Sequence, residues 1–133
     1  MKTQEQAVST EEEAFIQKII ADYKLVCESR EVSLLGRKEV LTGKAKFGIF
    51  GDGKEVAQIA MAKQFQDGDF RSGYYRDQTF MMAIKALSIK EAFAGLYAHP
   101  DVDKEPASAG RQMGGHFSTR NLDLSIIQIW RCR

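Results

Sequence analysis

Two cysteines in 133 residues cannot build the cross-linked framework of a small secreted domain. Cys27 and Cys132 therefore read as free thiols of a reducing compartment. Cys27, set among helically spaced apolar residues, is expected in a core. Prolines are equally few: Pro100 and Pro106 both fall in one late loop, so nothing interrupts helices before it. No apolar run approaches the roughly 18 residues of a membrane span. Net charge is nearly absent, at +1, and basic residues alternate with acids along the chain. No nucleic acid and no anionic membrane is expected as a main partner. Met1 to Glu13 lacks a signal-peptide core, and the run Glu11-Glu12-Glu13 is unlike a transit peptide, so the cytoplasm is the expected location.

What is present is ordinary for a globular chain: 44% apolar and 28% charged residues, enough for one domain and too short for two well-developed cores. Residues 1–9 are polar and read as a disordered tail. Thr10 with Glu13 has the form of a capping box. After it Phe15, Ile16, Ile19, Ile20, Tyr23, Val26 and Cys27 recur at helical spacing, and the pattern continues past Gly36 to Leu41. Gly43 is the natural stop. A helix of about 30 residues spans roughly 45 Å, more than so small a domain can cover, so its stripe is expected to pack on something outside the chain.

Further along, Gly51-Asp52-Gly53 turns into a helix from Lys54 to Phe65, and Asp67-Gly68-Asp69 is a turn. Phe70 to Tyr75 suits a short extended piece leading to a helix from Gln78 to about Leu87, with Asp77 as its N-cap. Ser88 and Glu91 form a capping box for a helix ending near Ala98. Pro100 to Gly115 is a loop.

Gly48 to Glu55 has the spacing of a P-loop, but Glu55 stands where a magnesium-binding hydroxyl is required. Gly51 and Gly53 open a dinucleotide fingerprint that fails at Val56. A glycine-permitted turn is the better reading of both. Arg76 is a stronger candidate. It follows Tyr74 and Tyr75 at a helix start, where a cation is disfavoured unless an anion such as a diphosphate joins it. Against this stands the ordinary fate of arginine, a solvated surface. His99, before Pro100, suits a helix-end cap. His116, after Gly114-Gly115 and near Arg111, is placed for proton transfer, although a lone loop histidine is more often structural.

In order, these segments resemble the alpha portion of the decarboxylating first component of 2-oxo acid dehydrogenase complexes. The resemblance is carried by Gly51-Asp52-Gly53-Lys54-Glu55-Val56, by Asp69-Phe70-Arg71-Ser72-Gly73-Tyr74-Tyr75-Arg76-Asp77, by Phe93-Ala94-Gly95-Leu96, and by Gly110-Arg111-Gln112-Met113-Gly114-Gly115-His116-Phe117. It runs from about Leu35 to Asp123 and is most similar to the branched-chain, 2-oxoisovalerate type, with the long first helix suited to forms that fuse alpha and beta portions. Pyruvate and acetoin types come next, and a non-catalytic remnant docking on a partner subunit is the rival.

The resemblance implies an α/β thiamine diphosphate-binding fold in the parent, of which this mainly α-helical piece with short extended segments is the N-terminal part, residues 10–123. It implies oxidative decarboxylation of a 2-oxo acid with acyl transfer to a lipoyl group, and partnership with a beta portion or subunit and a lipoyl acyltransferase core. Tyr75 and Arg76 would meet the cofactor's diphosphate, and Arg111 and His116 would stand on the substrate side. The family's magnesium motif is a Gly-Asp-Gly with an asparagine some two dozen residues later. Here the single asparagine is Asn121, far from Gly51-Asp52-Gly53, so the magnesium ligands are expected beyond this chain. The family's serine-proline segment is missing, and 124–133 reads as an atypical tail at a truncation.

Overall fold

A computed structural model describes residues 2–66, 69, 71 and 73–111, with side chains from Thr10 onward. Four helices follow in order: α1 (Lys2–Leu41), α2 (Glu55–Gln64), α3 (Gln78–Ala83) and α4 (Ile89–Leu96). The chain is mainly helical, with no strand among the described residues. The extended piece expected at 70–75 is not a strand at Arg71, Gly73 or Tyr74, and Tyr75 and Arg76 form a turn; Phe70 and Ser72 lie outside the described residues.

Helix α1 is longer than the sequence suggests, about 60 Å at 1.5 Å per residue. It starts at Lys2, so residues 2–9 continue the helix instead of forming a separate tail, and Thr10 lies in the helix interior and not at its N-cap. Gly36 does not break it. A Cβ there would run into the Phe50 ring, so the glycine is where the loop after α1 packs back onto the helix. The end is the expected one. Gly43 takes φ 77°, its N–H reaches the Val40 carbonyl at 3.0 Å, and the Lys44 N–H reaches the Glu39 carbonyl at 3.0 Å, a Schellman closure.

The face that α1 buries differs from the one its apolar spacing suggests. Ser29, Val32, Ser33 and Gly36 are the buried seam, whereas Cys27 is exposed and not in a core. Phe15, Ile16, Ile19, Ile20 and Tyr23 are exposed as well. Small residues at steps of three and four let α3 approach closely, and hydrogen bonds do the joining. Ser29 Oγ and Thr79 Oγ1 lie 2.7 Å apart, and Gln78 Nε2 donates to the Ser29 carbonyl at 3.0 Å. Every buried polar side chain among the described residues is satisfied, which such a seam requires.

Apolar packing is concentrated on α3. Phe80 and Met81 are fully buried against Ala62, Phe65, Ile84, Ala86 and Leu87, with Phe65 edge-on to Phe80 at 5.4 Å between centroids. Helix α3 stops at Ala83, four residues before the expected Leu87. Lys85 enters the left-handed region at φ 60°, and the N–H groups of Ala86 and Leu87 both return to the Met81 carbonyl. Helix α4 opens on the expected capping box, with Glu91 N–H donating to Ser88 Oγ and Ser88 N–H donating to Glu91 Oε2 at 2.7 Å. Tyr97 then ties this end to α1 by donating its hydroxyl to Glu39 at 2.6 Å.

Candidate functional site

The turn from Tyr74 to Asp77 joins the residues before α3 to its first turn. It closes reciprocally: Asp77 N–H donates to the Tyr74 carbonyl at 3.1 Å, and Tyr74 N–H donates to Asp77 Oδ2 at 2.5 Å. Asp77 holds the N-cap position but makes no side-chain cap bond, because its carboxylate serves the turn and ion-pairs with Arg71. Helix α3 has only six residues. Its dipole is small, so an anion here would depend on side chains.

From behind, α2 clamps this turn. Gln58 Nε2 donates to the Arg76 carbonyl at 2.8 Å, while Gln58 Oε1 accepts the Phe80 N–H at 2.9 Å. One buried amide thus pins both the turn and the start of α3. Gly51 lies against the same carbonyl, and a Cβ there would fall inside the contact radius of the Arg76 oxygen. Gly51 is thus a close-approach position, whereas the turn conformation its motif suggested is taken by Gly53, at φ 94°.

Over this fixed backbone Arg76 is exposed. Its guanidinium lies 5.2 Å from the Tyr75 ring centroid, and Nη2 donates to the Tyr75 hydroxyl at 3.3 Å. The Tyr74 ring lies against Tyr75, tilted by 38° with centroids 3.9 Å apart. The Tyr75 phenol is drawn below its usual range, first by its hydrogen bond with the Tyr74 hydroxyl and then by the positive Arg76 and Lys54, against partial desolvation. The Tyr74 phenol is shifted up by the same hydrogen bond.

The neighbouring arginines are committed elsewhere. Arg30 meets Glu55 through Nε at 2.5 Å and Nη2 at 2.9 Å, and Arg37 meets Asp52 at 2.5 Å. Arg71, 13% exposed, pairs with Asp77 and lies 4.0 Å from the Phe80 centroid. Among the described residues no carboxylate ion-pairs with Arg76. Glu55, the residue that spoils the P-loop, is buried and also accepts the Gly53 N–H at 2.9 Å. The Arg30 contact, foremost, holds its carboxyl down at about 2, despite burial that acts the other way.

Of the candidates read from sequence, Tyr75 and Arg76 are brought together. Arg111 is exposed at the far end of a separate loop, and no hydrogen bond or ion pair joins it to Arg76. His116 lies outside the described residues, as do the remaining Gly-Gly-His-Phe loop and residues 124–133. The loop leading to Arg111 is organised by a residue the sequence reading passed over. Buried Glu105 accepts from Ser108 N at 2.9 Å, Ser108 Oγ at 2.7 Å and Gly110 N at 2.9 Å through one carboxylate oxygen. His99 stands at the helix end as expected, but it closes α4 with its main chain: its N–H reaches the Ala94 carbonyl at 2.9 Å, while its Nδ1 accepts the Asp101 N–H at 3.2 Å. Gln58, Arg71 and Glu105 were missed because each acts through contacts that helical spacing does not display.

No group of three or more His, Cys, Asp or Glu side chains is placed to hold a metal ion among the described residues. No protein-family model matches the chain, and neither a curated protein nor a solved structure matches it.

Proposed function

We propose that this chain is the N-terminal part of the alpha portion of a thiamine diphosphate-dependent 2-oxo acid dehydrogenase component, of branched-chain type. The observation that supports this reading is Arg76. Its guanidinium is presented to solvent on a turn whose backbone is pinned from behind, and among the described residues no carboxylate pairs with it as one does with Arg30, Arg37 and Arg71. An exposed cation over a fixed backbone suits a diphosphate, since a guanidinium forks onto two phosphate oxygens.

In this reading Arg76 and the Tyr75 hydroxyl hold the diphosphate, and Gln58 and Gly51 keep the Arg76 main chain in place beneath it. Thiamine diphosphate, when bound, supplies the carbanion-stabilising chemistry of 2-oxo acid decarboxylation. Arg111 and His116 are proposed for the substrate side, magnesium ligands are expected outside this chain, and a beta portion completes the site. The acyl group would pass to the lipoyl group of an acyltransferase core.

The test is calorimetric titration of thiamine diphosphate with magnesium into the chain assembled with its beta portion. Arg76→Ala should weaken binding by about 1–3 kcal/mol, the scale of a lost charge-assisted contact. Unaltered affinity would remove Arg76 from the cofactor site.

A further inference from the structure

Helix α1 has two faces. The buried seam of Ser29, Val32, Ser33 and Gly36 lies against the rest of the fold. Roughly 150° around the helix, at 100° per residue, lies another series: Ile16, Ile20, Tyr23, Cys27, Leu34 and Leu41. These residues follow alternating steps of four and three, broken at Arg30 and Arg37, which is the spacing of a helix-pairing seam. All six are exposed, Tyr23 at 70% and Leu41 at 80%, so no described part of this chain covers them.

The charges along the stripe name the occupant. Glu12 and Glu13 stand at its N-terminal end, while Arg30, Arg37 and Lys38, with Glu31 among them, stand towards its C-terminal end. Two parallel copies would set acid against acid and base against base. Turned head to tail, the same two copies set Glu13 against Arg30 at both ends of an apolar centre of Ile16, Ile20, Tyr23 and Cys27.

We propose that this face pairs two copies of the chain as antiparallel α1 helices, with Ile20 of one against Tyr23 of the other. In that register Ile16 meets Cys27 of the second copy, and Glu13 meets Arg30 of the second copy. Arg30 can take the second carboxylate: it gives Nε and Nη2 to Glu55, its side chain is 45% exposed, and Nη1 remains for another acceptor. The face is separate from the Tyr75–Arg76 turn, and the inference does not depend on the cofactor reading.

Sedimentation equilibrium of the whole chain should give twice the 15.0 kDa of one copy at the higher concentrations. Ile16→Glu with Ile20→Glu should return the single-chain mass with an unchanged helical circular dichroism spectrum. Orientation is read by oxidation in a Cys132→Ser background. Antiparallel pairing holds the two Cys27 residues about 16 Å apart along the axis, beyond disulfide reach, so that background should not cross-link through Cys27. Adding Ile16→Cys should produce a covalent dimer through Cys27 of the second copy. A single-chain mass at every concentration, persistence of the dimer in the double glutamate variant, or a Cys27–Cys27 cross-link would overturn the proposal.

Discussion

Arg71 and Arg76 are five residues apart and occupy opposite electrostatic surroundings. Arg71 is folded inward, paired with Asp77 and laid over the Phe80 ring, so its charge belongs to the core of the fold. Arg76 faces outward over Tyr75 with no acid paired to it among the described residues, while its main chain is the part that is anchored. A guanidinium that helps build the fold is neutralised by the fold. In the proposed reading Arg76, kept for a ligand, is held from its backbone and left charged. The difference predicts that substitutions beneath Arg76 damage folding, and that removal of the Arg76 side chain damages binding alone.

The largest effect is expected at Gln58. Gln58→Leu leaves the Phe80 N–H and the Arg76 carbonyl without their partner, and at 1–3 kcal/mol per unsatisfied group the loss should be about 3 kcal/mol in chemical denaturation. Retention of full stability would mean that α2 does not pin the turn. Gly51→Ala comes next, at about 2 kcal/mol, because the added methyl meets main chain, which yields less readily than a flexible side chain. A neutral result there would show that the loop can move away from Arg76 freely.

Glu55→Gln should cost somewhat less, about 1.5 kcal/mol near neutral pH, by weakening the Arg30 pair. Its pH dependence has a definite sign. The folded-state pKa of about 2 lies below the ordinary 4.5, so the carboxylate stabilises the fold above about pH 4.5, and that contribution fades as pH falls towards 2. The glutamine variant should lose this part of the acid transition. Identical acid curves for the two proteins would place the low pKa in doubt.

The contrast also shows how much of the molecule could be read in advance. Chain punctuation was legible because it is local: Gly43 needs φ 77°, Gly53 needs φ 94°, and Ser88 with Glu91 closes a box three residues wide. That Tyr75 and Arg76 share one turn was legible for the same reason, since they are neighbours in the chain. The face of α1 was not. Apolar spacing marked Phe15 through Cys27 as a stripe for packing outside the chain and gave no sign of the buried seam, which uses Ser29 and Ser33, whose partners Gln78 and Thr79 come more than 40 residues later. Hydrogen bonding across so long a separation leaves no periodic trace. The early stop of α3 was equally hidden, since a left-handed Lys85 is imposed by packing around Met81 and not by any turn-forming residue.

The smallest expected change in folding is the one that matters most for function. Arg76→Ala should alter the melting temperature of the ligand-free chain by no more than a surface substitution does, within about 0.5 kcal/mol. The decisive measurement is the rise in melting temperature that thiamine diphosphate with magnesium produces in the chain assembled with its beta portion, because a ligand that binds only the folded state stabilises it by mass action. The account predicts a clear rise for the native sequence and a much reduced one for Arg76→Ala. An equal rise in both proteins would contradict it.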